Sequence, residues 1–196
     1  HRLVALSKEF AMLKSVLISS VFLGLSALTS SSASAGAANL QPAALVEQAA
    51  NDLELAQGEA IADTVISYLN IDMIARFTLG QHVRSLSDQD VQRFSTALDT
   101  FLRQQITRHA SAAEDVSVEI IQTSARNARD AIVVARVTGL GDPLTLKWRV
   151  IERGGTWSIV DLEVQGIWLA IEQRAQIDAL LSRPGATIDD VIAQLG

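Results

Sequence analysis

Residues 130–164 read DAIVVARVTGLGDPLTLKWRVIERGGTWSIVDLEV. Apolar side chains alternate with polar ones from Ala131 to Val137, from Leu144 to Ile151 and from Thr156 to Val164. Gly139-Leu140-Gly141-Asp142-Pro143 and Gly154-Gly155 supply the turn chemistry between these runs. Upstream, Val116, Val118 and Ile120 keep the same period of two, and Arg126 to Asp130 separate them from the next run. Four strands joined by loops this short have no room for crossovers, so the expectation is a mainly antiparallel meander.

The period changes on both sides of this block. From Leu40 to Leu69 the chain is rich in Ala, Leu, Glu and Gln, which are good helix formers, with a break at Gly58 that divides it into two helices. A third helix is expected from Ile71 to Leu79, ending at Gly80. Ser87 and Asp90 have the spacing of a capping box, and the long helix they begin carries Val91, Phe94, Leu98, Phe101, Leu102 and Ile106 three and four residues apart. After the strands, a helical pattern runs from Ile167 to about Arg183. Pro184-Gly185 breaks it, and Thr187 caps a terminal helix through Leu195. Helices, then an antiparallel sheet, then helices give an α+β fold. The expected arrangement places the helices on the concave face of a curved four-stranded sheet, around an apolar pocket.

Residues 12–35 have another character. One positive charge at Lys14 precedes an uncharged apolar run from Val16 to Leu28, then a Ser-rich stretch ends in Ala33-Ser34-Ala35. These are the parts of a secretory signal peptide, with cleavage expected after Ala35. The run is shorter than the roughly 20 residues that cross a bilayer. Met12 starts a better signal than His1 does, so residues 1–35 are expected to be an upstream extension plus the leader, and 36–196 the functional domain. Without residues 1–35 the chain keeps 13 basic and 21 acidic residues, a formal charge of −8. That balance argues against nucleic acid and against strong adhesion to anionic membrane surfaces. The chain has no cysteine, which excludes disulfides, a thiolate nucleophile and Cys-based metal sites.

Two segments resemble a known family. Ile71-Asp72-Met73-Ile74-Ala75-Arg76-Phe77-Thr78-Leu79-Gly80, leading through Arg84, is similar to the helical region of the MlaC, or toluene-tolerance, family. Gly155-Thr156-Trp157-Ser158-Ile159-Val160-Asp161-Leu162-Glu163-Val164-Gln165-Gly166-Ile167, continuing into Gln173, Arg174 and Gln176, resembles that family's strand-to-helix pattern more closely. The resemblance covers the chain from about Leu40 to its end. It departs from the usual residues at Gln81, His82 and Val83, and at Trp168, positions that bear on lipid identity more than on fold.

The resemblance implies an NTF2-like fold and a periplasmic phospholipid-binding protein. Such a protein carries lipid between an outer-membrane lipoprotein complex and an inner-membrane ABC transporter, maintaining outer-membrane lipid asymmetry. One branch of the family is associated with hopanoids, so a hopanoid-related cargo is the alternative. No catalysis, cofactor or metal is implied, and a monomer is expected.

The physical chemistry of such a task is simple. At about 0.8 kcal/mol per methylene, exposing one acyl chain of about 15 carbons to water costs on the order of 12 kcal/mol. A carrier therefore needs a dry, apolar cavity that leaves the polar head in solvent. Candidate lining residues are Leu79, Val83, Phe94, Leu98, Phe101, Val134, Leu146, Trp148, Ile159, Ile167 and Ile171, each of which ordinary core packing explains as well. On a helix from Ile167, Arg174 falls near the centre of an arc formed by Ala170, Ile171, Ile177 and Leu181. Its guanidinium either pairs with Asp161 or Glu163 or binds a lipid phosphate at the pocket mouth. An NTF2-like pocket enzyme is the competing reading, with His82, His109 and Asp161 as its candidates, but none stands in a recognisable catalytic pattern.

Overall fold

Alternation becomes pleat in the computed structural model, which describes residues 42–56, 58, 60–109, 117–138 and 143–196. The expected leader, Leu40, Val116 and the Gly139–Asp142 turn lie outside the described residues. Five strands follow one another as β1 (Ser117–Asn127), β2 (Asp130–Thr138), β3 (Leu144–Arg153), β4 (Thr156–Val164) and β5 (Ile167–Trp168). They are hydrogen-bonded in sequence order, every pair antiparallel.

The sheet therefore has five strands rather than four, and Ile167 and Trp168 belong to it rather than to the helix that follows. Gln165 and Gly166 both take positive φ, 51° and 86°. A two-residue turn of that hand matches the twist of a hairpin, so the chain folds back and pairs Val164 with Ile167 and Glu163 with Trp168.

One face of the sheet is apolar. Val133, Ala135 and Val137 of β2, Leu146 and Val150 of β3, and Ile159 and Val164 of β4 are all buried. The register places Leu146 beside Val164 and Val150 beside Ile159 across a bulge that follows Arg149. The other face carries ion pairs. Lys147 Nζ reaches Glu163 Oε1 at 2.7 Å, and Arg149 Nη2 reaches Asp130 Oδ2 at 3.0 Å.

Helix α1 (Pro42–Leu55) packs on this sheet beside α2 (Ala60–Tyr68), with Gly58 at φ 57° in the connection. Backbone pairing ties the end of α2 to the sheet, where Asn70 N–H donates to the Ile159 carbonyl at 3.0 Å. Helix α3 (Ile71–Leu79) is capped by the Asn70 side chain, which accepts from Met73 N–H at 2.9 Å. A 3-10 turn (Gly80–Arg84) leads to the long helix α4 (Asp88–His109). Ser87 caps it as expected, its Oγ accepting from Asp90 N–H at 3.1 Å. Helices α5 (Leu169–Leu181) and α6 (Ile188–Leu195) complete the described chain. The capping box of α6 is built from Thr187 and Asp190, whose carboxylate accepts from Thr187 N–H at 2.8 Å.

The apolar interior has two parts. Leu79, Val91, Phe94, Leu98 and Phe101 pack with Ile177, Leu180, Ile188, Val191 and Leu195 into a core made of helices alone. A second region lies between the sheet and α1 and α2, and the long helix joins it only through Ile106. Among the described residues, no helix is long and apolar enough to cross a membrane.

Candidate functional site

Among the described residues, an open space lies between α1, α2 and the apolar sheet face. It is a cavity of ≈ 50 Å³. Val46, Ala49, Ala50 and Leu53 of α1 form one wall, and Val65 and Tyr68 of α2 with Leu69 form the next. Val118 of β1, Trp148 of β3 and Ile159 of β4 form the floor. The α1 residues recur at intervals of three, four and seven, the spacing that puts side chains on one face of a helix. Among the described residues, none that lines it carries a charge.

Two of the lining residues, Tyr68 and Trp148, carry a polar side-chain atom. The Tyr68 hydroxyl donates to Asp52 Oδ2, joining α2 to α1. Burial, and after it the bond to Asp52, pushes the phenol up to about 12. The second atom is Trp148 Nε1, a donor that is buried and has no hydrogen-bond partner among the described residues. A buried donor left unpaired costs about 1–3 kcal/mol.

The sequence-predicted residues divide among several places. Trp148 and Ile159 line the cavity, and Leu146 lies in the adjoining cluster with Leu53 and Ile61. Leu79, Phe94, Leu98 and Phe101 are buried in the all-helical core, with Val83 packed against it, and are not among the cavity-lining residues. Val134 pairs with Lys147 and alternates with buried Val133, which puts it on the opposite face of the sheet. Ile167 and Ile171 are 45% and 52% exposed.

Arg174 is on neither side of the ion pair expected for it. Asp161 accepts from Leu162 N–H and Ala170 N–H, each at 2.8 Å, and Glu163 is taken by Lys147. The Arg174 guanidinium instead stands 5.4 Å over the centre of the Phe77 ring and against Gly80, where a Cβ would meet Nε at 2.7 Å. It is not among the residues lining the cavity.

The enzyme candidates are engaged elsewhere. Asp161 caps α5 from outside the helix, because Trp168 at the N-cap offers no side-chain acceptor. Burial raises its carboxyl above the ordinary range even though both hydrogen bonds pull it down. His82 Nε2 lies 2.8 Å from Asp178 Oδ1, which holds the Asp178 carboxyl below its usual value. The His109 side chain lies outside what is described.

Sequence reasoning missed most of the wall. The composition of α1 and α2 marks them as helices, and the stripe Val46, Ala49, Ala50, Leu53 is the signal in the sequence for the wall. The apolar stripe of α4 drew attention because it was longer and richer in Phe.

The geometry is thus a charge-free cavity under two N-terminal helices, on the sheet of an α+β fold. A model of the MlaC protein family matches residues 44–196. The chain belongs to the MlaC family. A comparison with curated proteins gave no match. Among solved structures, the chain is similar to the phospholipid-binding protein from Ralstonia solanacearum, which was solved in complex with a phospholipid. The two are 16% identical and superpose with a TM-score of 0.66, over 78% of this chain and 93% of that one. At that identity the likeness carries the fold. The family match spans every element that bounds the cavity, from α1 to β4, as well as the all-helical core.

Proposed function

We propose that this MlaC-family chain is an exported, non-catalytic carrier that holds a phospholipid by its acyl chains and passes it between membrane complexes. The observation that carries the reading is the cavity: every side chain lining it is uncharged, and its one hydroxyl is already tied to Asp52. Hydrocarbon gains about 25 cal/mol per Å² on entering such a surface, while a polar head gains nothing there and stays in water. The bound phospholipid of the Ralstonia solanacearum protein and the functions of the family support the same reading. Residues 1–35 are the extension and leader, cleaved after Ala35 to release residues 36–196 into the periplasm. The exchange partners are an outer-membrane lipoprotein complex and an inner-membrane ABC transporter, and the transport maintains lipid asymmetry.

At ≈ 50 Å³ the cavity is in its closed form, since pockets that enclose ligands run to roughly 300–1,000 Å³. Loading requires α1 to move off the sheet. Four of the lining residues are on this helix, and its face is replaced by the acyl chains as it lifts.

A vesicle assay tests the proposal. Donor vesicles carry a self-quenched fluorescent phospholipid, acceptors carry none, and the protein is expected to speed dequenching in proportion to its concentration. Ala50→Leu adds three carbons at the wall, which displaces cargo worth about 2 kcal/mol and slows transfer more than about tenfold. Transfer no faster than the protein-free rate would remove the carrier reading.

A further inference from the structure

The cavity wall contains one unsatisfied demand, and it specifies the cargo further. Trp148 lines the cavity with its Nε1 buried and without a partner among the described residues, and the other lining residues are Val, Leu, Ile and Ala side chains and Tyr68. Buried N–H donors are almost always paired in native structures, so the missing acceptor calls for an occupant. Water is a poor one, because a buried water needs two to four polar partners and beside the indole the described lining offers only the Tyr68 hydroxyl, whose proton is already given to Asp52. A phosphate is poorer, because no cation lines the cavity and a charge taken out of water must be paired.

The acceptor that fits is neutral, strong and attached to hydrocarbon. We infer that the Trp148 indole N–H donates to the ester carbonyl of a bound acyl lipid, so that the cavity selects ester-linked chains over hydrocarbon that lacks an acceptor. This rests on the carrier reading and deepens it. The carbonyl lies at the root of the acyl chain, so the bond also fixes how deep the chain sits: the methylenes extend into the apolar space and the glycerol faces out. A polycyclic hydrocarbon body offers the indole nothing, and the donor stays unpaired when such a molecule is bound.

Two synthetic phosphatidylcholines of equal chain length test this, one with ester-linked and one with ether-linked chains. They share headgroup, charge and hydrocarbon, and differ only in the carbonyls. Competition for the lipid-free protein is expected to favour the ester lipid about five- to tenfold, the worth of one hydrogen bond in a dry site. Trp148→Phe is expected to bring the ratio to one. In the unsubstituted protein, the indole ¹⁵N–¹H resonance of Trp148 is expected to move downfield with the ester lipid and not with the ether lipid, a reading independent of whether the variant folds. Equal binding of the two lipids with no such shift overturns the inference and leaves the carrier reading standing. Failure to bind either lipid overturns both.

Discussion

At the residue scale, Asp161 and Gly80 show how single groups set local geometry. Asp161 reaches from β4 to the backbone N–H of Ala170 and supplies the cap that Trp168 lacks. Asp161→Ala leaves two backbone donors without an acceptor and is expected to lower stability by about 1–2 kcal/mol, as loss of a cap does, read as a shift in the urea midpoint. Asp161→Asn keeps an acceptor and costs less. Because burial holds the folded-state carboxyl above 3.8, the folded chain binds more protons than the unfolded chain between 3.8 and the raised value. Stability relative to Asp161→Asn therefore falls as pH rises through that window and is level above it; a difference that rises with pH there contradicts the assignment. Gly80 takes φ 56° and lies under the Arg174 guanidinium. Gly80→Ala is expected to cost about 1–2 kcal/mol, mainly from the backbone, since the end of an arginine side chain can move aside. Adding Arg174→Ala should therefore recover only a small part of the loss in thermal melts; full recovery would place the strain in the side-chain contact instead.

At the element scale, α1 is the part on which the proposed loading depends. The chain has no cysteine of its own, so spin labels at Gln48→Cys on exposed α1 and Thr156→Cys at the exposed start of β4 report the separation of helix and sheet without interference. Pulsed dipolar spectroscopy is expected to show longer distances on loading with phospholipid; identical distributions with and without lipid would show that α1 does not open. The strands themselves were legible because alternation has only one structural meaning over this many residues, and Ser87 and Thr187 marked helix starts by their side-chain chemistry. Strand β5 was not legible. Two residues are too few to show a period, and Ile167-Trp168 extends the apolar pattern of the helix behind it; only Gln165-Gly166, a two-residue loop of hairpin type, marked the reversal. The cavity was half legible. Trp148 and Ile159 stood on the alternating face that had to be covered, but periodicity says only that a face is covered. It cannot say that α1, with its small residues Ala49 and Ala50, leaves a cavity against β1, β3 and β4, while Phe94 and Phe101 on α4 are buried in the core between helices.

At the scale of the whole molecule, the fold separates two tasks. The all-helical core of α3, α4, α5 and α6 is built of buried apolar side chains and gives stability to a chain that has no disulfide to rely on. The sheet and the first two described helices bound the apolar cavity of ≈ 50 Å³. A net charge of −6 over the whole sequence disfavours adhesion to anionic bilayers, which accords with the proposed delivery through docked partners. The central claim is that this cavity is filled by phospholipid in the cell. The direct measurement is organic extraction of protein purified from the periplasm without detergent, followed by quantitative mass spectrometry of the extract. The account predicts ester-linked phospholipid at near-equal molar amount to protein; an extract with no lipid, from protein that also takes up none when phospholipid is supplied, would contradict it.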